Sequence, residues 1–236
     1  MKLYILLAAL TPILILLFYI YRKDKNQPEP PKEMLKAFFC GVLSAFLSFC
    51  ISIPFERVGV YVLDFQTIGE AIQAAFFAAA IPEEIAKYIM LWLFLRKCKD
   101  FDQRMDGIVY AVCVSLGFAA LENIIYLIGN YDEWLSVGIV RALTAVPGHF
   151  CFGVLMGYYY SLGKFDSENF ATAKYKALLV PIIVHGLYDV ICFIEGIVPS
   201  LAAMLMIVFI VFCHKLWKYG SKRMKEHLER DIIVND

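Results

Sequence analysis

Seven stretches of this chain, 3–21, 34–53, 68–95, 107–128, 136–162, 177–195 and 198–214, are apolar over helix-spanning lengths. A helix needs roughly 20 apolar residues to cross a hydrocarbon core of about 30 Å. Seven spans take up about 140 residues, which leaves little for a second, water-soluble domain. Composition agrees, with 61% hydrophobic and 19% charged side chains, against about 45–50% and 25% in soluble domains. The 22 basic and 22 acidic residues cancel and leave no basic face for nucleic acid. The expected fold is all-α: a polytopic bundle of about seven transmembrane helices in the cell membrane, one domain over 1–214 with a basic cytoplasmic tail over 215–236.

The first span ends in Tyr21-Arg22-Lys23-Asp24-Lys25, and only Lys2 precedes it. A cleaved leader carries its charge before a short apolar core, so this reads as an uncleaved helix. Lys and Arg resist translocation and mark the cytoplasmic side. The connector 22–36 holds five of them, 96–104 four, 164–176 three and the tail from 215 six, while the opposite connectors hold only Lys2 and Arg57. Eighteen against two implies an outside N-terminus and a cytoplasmic C-terminus. The tail from Trp217 to Arg230 is expected to lie on anionic lipid.

None of the seven cysteines forms a CxxC pair, and six lie within spans, where the thiol acts as a small apolar group. Tyr158-Tyr159-Tyr160 reads as an interfacial belt. Gly117, Gly148, Gly153 and Gly157 read as close helix contacts.

Against this background the ionisable residues inside the spans stand out, because a charge at mid-bilayer costs about 3 kcal/mol on insertion scales. The third span holds Pro82-Glu83-Glu84-Ile85-Ala86-Lys87 and the fourth Phe118-Ala119-Ala120-Leu121-Glu122-Asn123. The fifth holds Arg141 and Pro147-Gly148-His149, and the sixth Pro181 and His185-Gly186-Leu187-Tyr188-Asp189. At 1.5 Å per residue from the cytoplasmic ends, Glu83 lies about 18 Å deep, Glu122 about 22 Å, His149 about 20 Å and His185 about 15 Å. Asp189 lies about 9 Å from the outer edge. Four helices thus bring polar groups to one slab in the middle and outer half of the membrane.

Spacing within each helix refines this. Lys87 is four residues from Glu83 and three from Glu84, so it reaches either carboxylate. The two glutamates diverge by about 100°, so one is expected to face the site while the other pairs with Lys87. His185 and Asp189 share a face at i,i+4. Pro82, Pro147 and Pro181 each loosen the turn before a polar group and make room for water or a peptide. Glu83, Glu84, Glu122 and Asp189 outnumber Lys87 and Arg141 by two charges, which raised carboxyl pKa values, a protonated histidine or a divalent cation would balance.

Singly, each such residue fits a packing role, most readily Asn123, Arg141 and the Glu84–Lys87 pair. Glu83, Glu122, His149 and His185 together are too costly a set for that. Carboxylate and imidazole in a low-dielectric cavity are equipment for general-base hydrolysis: Glu takes a proton from water and His polarises the carbonyl or shuttles the proton. No GxSxG or HExxH motif occurs. Glu122, His149 and His185 remain a possible three-ligand set for a divalent metal such as zinc. A proton or ion pathway and a non-catalytic sensor are the rival uses of the same groups.

Glu83-Glu84-xx-Lys87, Phe118-xxx-Glu122-Asn123, His149 and His185-xxx-Asp189, in this order, resemble the PrsW family of bacterial intramembrane proteases. Met105-Asp106-Gly107-Ile108-Val109-Tyr110 is similar too, and the likeness covers nearly the whole chain. It implies a multi-pass peptidase making the first, extracytoplasmic cut in a single-pass membrane protein, an anti-sigma factor. That family is similar to the CAAX-prenyl proteases, with EExxxR, FxxxH and HxxxN motifs. By that likeness Glu83 activates water, Glu84 pairs with Lys87, and His185 with Asp189 faces the oxyanion. Glu122 stands where the prenyl proteases have His, and Asp189 where they often have Asn. His149, closest in depth to Glu83, is the candidate replacement.

Overall fold

The computed structural model describes residues 3–24, 27–166 and 170–235, and these form an all-helical bundle. Lys2 and Lys25, counted above among the basic residues, lie outside the described residues. The helices are α1 (Leu3–Lys23), α2 (Pro31–Arg57), α3 (Ile68–Gln73), α4 (Ile81–Leu95), α5 (Arg104–Gly129), α6 (Trp134–Leu143), α7 (Ala145–Phe165), α8 (Phe170–Ile197) and α9 (Ala202–Asn235). Among the described residues, six helical stretches are long and apolar enough to cross a membrane: 3–23, 31–57, 104–129, 131–165, 172–197 and 203–232.

The third expected span departs from a single α-helix. Between α3 and α4, Ala74–Ala80 winds as a π-helix, with the Ile81 N–H reaching back to the Phe76 carbonyl. Pro82 follows at once and has no N–H to offer the turn behind it. Small side chains, five alanines among these seven residues, let the wider turn form. The fifth span also breaks: α6 stops at Thr144, whose φ of −124° and ψ of −69° leave the helical region, and α7 starts two residues before Pro147. Around Pro181, by contrast, α8 runs on unbroken.

The centre of the bundle is α5, buried on every side from Met105 to Ala120. It can be so enclosed because its neighbours approach to backbone contact. A side chain at Gly157 of α7 would run into the Gly107 carbonyl and Ile108, and one at Gly117 would strike the Phe38 carbonyl of α2. Gly153 is similarly tight, whereas Gly148 faces only the Phe152 and Tyr188 rings at ordinary distance. Close backbone approach is how helices gain dispersion contact where lipid removes the hydrophobic drive.

The last helix changes the expectation for the tail. α9 runs unbroken past residue 215, and its far end docks on the bundle. His227 is fully buried, stacks on Tyr158 at 4.4 Å and reaches the Tyr158 carbonyl at 3.0 Å. Asp231 accepts the backbone N–H groups of Arg104 and Met105 at 3.0 and 2.8 Å, capping α5. Tyr158 is buried in this contact rather than forming part of an interfacial belt.

Candidate active site

Four helices bring charged groups to one place, and α6 adds a fifth side. On α4 the π-turn and Pro82 set the rotation of the first turn, which points Glu83, Glu84 and Lys87 into the bundle. The Lys87 ammonium lies 2.8 Å from Glu84 Oε1, 3.3 Å from Glu83 Oε2 and 3.1 Å from His149 Nδ1. It also sits 4.0 Å above the Phe118 ring of α5. Lys87 therefore bridges both glutamates instead of choosing one, because it stands one turn below and between them.

The two glutamates are held unequally. Glu84 is fully enclosed and bound on two sides, by Lys87 and by His185 Nδ1 at 2.9 Å. Glu83 keeps 13% of its side chain exposed and has longer contacts, 3.3 Å to Lys87 and 3.9 Å to His185 Nε2. His185 Nε2 lies 3.3 Å from Asp189 Oδ2, one turn along α8. Phe152 stacks on the His185 imidazole at 4.6 Å and Phe76 of the π-turn covers Gly186, so the ring has little freedom to turn.

On α5, Glu122 accepts from the Arg141 guanidinium at 2.6 Å and faces His149 Nε2 at 2.9 Å. Arg141 also donates to Asn123 Oδ1 at 2.7 Å and lies 4.0 Å over the Tyr126 ring. Asn123 donates in turn to the Ala9 carbonyl of α1 at 3.2 Å. All nine singled-out residues thus belong to one continuous network, Asn123–Arg141–Glu122–His149–Lys87–Glu83/Glu84–His185–Asp189.

Hydrogen-bond roles follow from the partners. Lys87 can only donate, so His149 Nδ1 accepts and its Nε2–H donates to Glu122. His185 has carboxylates near both nitrogens, Glu84 at Nδ1 and Asp189 at Nε2, surroundings that would suit a ring protonated on both. With that charge, four carboxylates would meet three cations, and the excess would fall from two to one. Glu83, Glu122, Arg141 and Asp189 are the partly exposed members and form the open edge of the network.

The sequence pointed to the charged residues but missed the aromatic walls. Phe152 lies three residues after His149, and Tyr126 four after Glu122, which is same-face spacing on a helix. Read that way, both were findable; in an apolar span they look like ordinary core.

These motifs have known counterparts. The family described as PrsW family intramembrane metalloprotease matches residues 29–214. The chain belongs to the PrsW family. Among its members, Protease PrsW of Clostridioides difficile is 36% identical over 99% of this chain and 95% of its own length. Protease PrsW of Bacillus subtilis is 35% identical over 94% of each chain. That of Geobacillus kaustophilus is 36% identical over 77% of this chain and 76% of its own. No solved structure matches the chain. Membership in PrsW makes the protein a multi-pass membrane peptidase and decides against an ion pathway or a passive sensor.

The PrsW description as a metalloprotease poses the question of a metal. Glu83, Glu84 and His149 offer ligand atoms that all lie within 4.8 Å of one another. Glu84 Oε2 is buried without a hydrogen-bond partner. Two carboxylates and an imidazole are donors of the right kind for a divalent ion, but the Lys87 ammonium lies 2.8–3.3 Å from all three and holds that point, so an ion would take its place. The grouping differs from the expected Glu122, His149 and His185, because Arg141 engages Glu122 and His185 turns to Glu84 and Asp189.

Proposed function

We propose that this protein hydrolyses a peptide bond of a single-pass membrane protein near the outer leaflet, with Glu83 activating the attacking water. The observation that carries this reading is the unequal holding of the glutamate pair: Glu84 is locked between Lys87 and His185, while Glu83 is loosely held at the open edge. A general base needs a lone pair that water can reach, and of the two only Glu83 is exposed, since the spare Glu84 oxygen is fully enclosed. His185, held at Nδ1 by Glu84, turns Nε2 to the open edge between Asp189 and Glu83, and from there its N–H would be given to the developing negative charge on the scissile carbonyl oxygen. Lys87 holds both glutamates in register, and Glu122 with Arg141 orients His149.

A divalent ion, zinc included, would be held by Glu83, Glu84 and His149 in place of the Lys87 ammonium, and when bound it would supply a Lewis acid for the carbonyl and an acidic water. The substrate segment reaches the site through the apolar cavity of about 480 Å³ between α1 and α6, which ends at Pro147, two residues from His149. The topology that suits this chemistry has seven crossings, with Ile68–Leu95 as one of them, an outside N-terminus and a cytoplasmic C-terminus. The substrate class is an anti-sigma factor receiving its first cut.

The test is N-terminal proteomics of membranes from cells carrying wild-type protein or Glu83→Gln at matched expression. Loss of cleavage products from particular single-pass proteins in the variant supports the reading and names the substrate. Identical products from an abundant, folded Glu83→Gln protein would remove Glu83 as the base.

A further inference from the structure

A second group of carboxylates is buried at the opposite end of α5, about 24 Å from Glu122 at 1.5 Å per residue. Asp24 follows the last turn of α1, Glu29 lies in the connector to α2, and Asp106 sits in the first turn of α5. They are 2%, 4% and 0% exposed, and one oxygen from each lies within 4.8 Å of the others. Among the described residues no Lys or Arg pairs with any of the three. Arg104 faces Asp231 at 3.6 Å, and Lys164 donates to the Phe101 carbonyl.

Part of the cluster is satisfied locally. Asp106 Oδ2 accepts the backbone N–H groups of Asp102 and Gln103, and the Tyr110 hydroxyl donates to Glu29. Asp24 Oδ2 and Asp106 Oδ1 are buried with no hydrogen-bond partner. Prolines 28 and 30 flank Glu29 and fix its backbone, so the carboxylate is presented rather than mobile. Buried carboxylates are costly unless paired or bound to a cation, and here the spare lone pairs converge.

We propose that Asp24, Glu29 and Asp106 form a binding site for a divalent cation, Ca²⁺ by preference, that ties the α1–α2 connector to the start of α5. All-oxygen ligation suits a hard ion. Oxygens within 4.8 Å of one another can share one ion at the Ca²⁺–oxygen distance of about 2.3–2.6 Å, and three protein carboxylates suit Ca²⁺ better than Mg²⁺, which keeps several waters and takes one or two carboxylates. Water and the Tyr110 hydroxyl complete the shell. The site is separate from Glu83 and does not rest on the peptidase reading.

The full chain, purified in detergent and stripped with EGTA, is titrated with Tb³⁺ and then with CaCl2, with tyrosine-sensitised Tb³⁺ emission and thermal unfolding as readouts. Wild-type protein is expected to bind Tb³⁺ saturably, to release it to Ca²⁺, and to unfold at higher temperature with Ca²⁺ present. Asp24→Asn removes an oxygen that has no hydrogen bond to lose. It should weaken Tb³⁺ binding by about tenfold or more and abolish the Ca²⁺ shift; Glu29→Gln replaces it should that protein fail to fold. The proposal is overturned if Ca²⁺ leaves wild-type unfolding unchanged, which would mean the carboxyls hold protons instead. It is also overturned if Glu83→Gln removes the emission while Asp24→Asn keeps it, since the ion would then sit in the other cluster.

Discussion

Lys87 has its ammonium among Glu83, Glu84 and His149 and over the Phe118 ring, so a change at this position disturbs four groups together. Removing one member of a buried ion pair strands the other charge, at about 3–5 kcal/mol. Lys87→Met is therefore expected to lower unfolding stability by that order, read by denaturant titration in micelles, and to abolish cleavage. Glu83→Gln should behave differently, because its carboxylate is the loosely held one: near-normal stability with cleavage lost. Asn123→Ala strips Arg141 and the Ala9 carbonyl of their partner, for about 1–3 kcal/mol, with cleavage weakened less than by Glu83→Gln. The identity of these residues was legible in the sequence, since charge in an apolar span is costly whatever surrounds it. How unequally they are held was not, because it rests on which carboxylate is enclosed, and Glu84 is held from α8 by His185 as well as by Lys87.

At the scale of elements, the π-turn Ala74–Ala80 sets the direction in which α4 presents its glutamates. Deleting Ala79 would let the segment wind as α-helix and rotate Glu83, Glu84 and Lys87 relative to α3 by about 100°. The expected result is a protein with normal helical circular dichroism and no cleavage; retained cleavage would show that the π-turn does not position the site. Helix contacts are equally exacting where glycine meets backbone. Gly157→Val drives a side chain into Gly107 and Ile108 and should destabilise by about 1–3 kcal/mol or more. Gly129→Ala has open space and should be silent in the same unfolding measurement. The prolines announced irregular turns, yet only two of the three coincide with a break: α8 carries Pro181 without interruption, while the small alanines before Pro82 and the turn at Thr144 let those helices yield.

For the whole molecule, two properties can be measured without a substrate. Fusing a periplasm-active reporter to the C-terminus should give no activity and a cytoplasm-active one full activity, as the eighteen-to-two distribution of basic residues requires. Stability should also depend on pH through the carboxylates beyond the spans. Burial, then the neighbouring Asp106 and Asp231, pushes Asp24 up from 3.8 to about 7. Burial, then the hydrogen bond with Asp106, pushes Glu29 up from 4.5 to about 9. Groups whose folded pKa is raised stabilise fully below their unfolded pKa and lose that contribution as pH rises. In EGTA, thermal stability should therefore fall between about pH 4 and pH 9; a flat profile over that window would remove this linkage.

The sequence by itself determined the all-helical class, the multi-pass membrane character and the set of charged residues that meet inside the bundle. Each depends on a residue's own transfer cost into hydrocarbon and on helical periodicity, and both are local properties. Tertiary structure alone decided that the nine residues join into one network, that Glu84 is locked and Glu83 open, and that Glu122 is given to Arg141. It also decided that the basic tail docks on the bundle through His227 and Asp231. Those outcomes depend on the distance between side chains far apart in the chain. That distance is set by how closely α2 and α7 pack on α5 and by the turn of α4 about its own axis, and neither is written in any single segment.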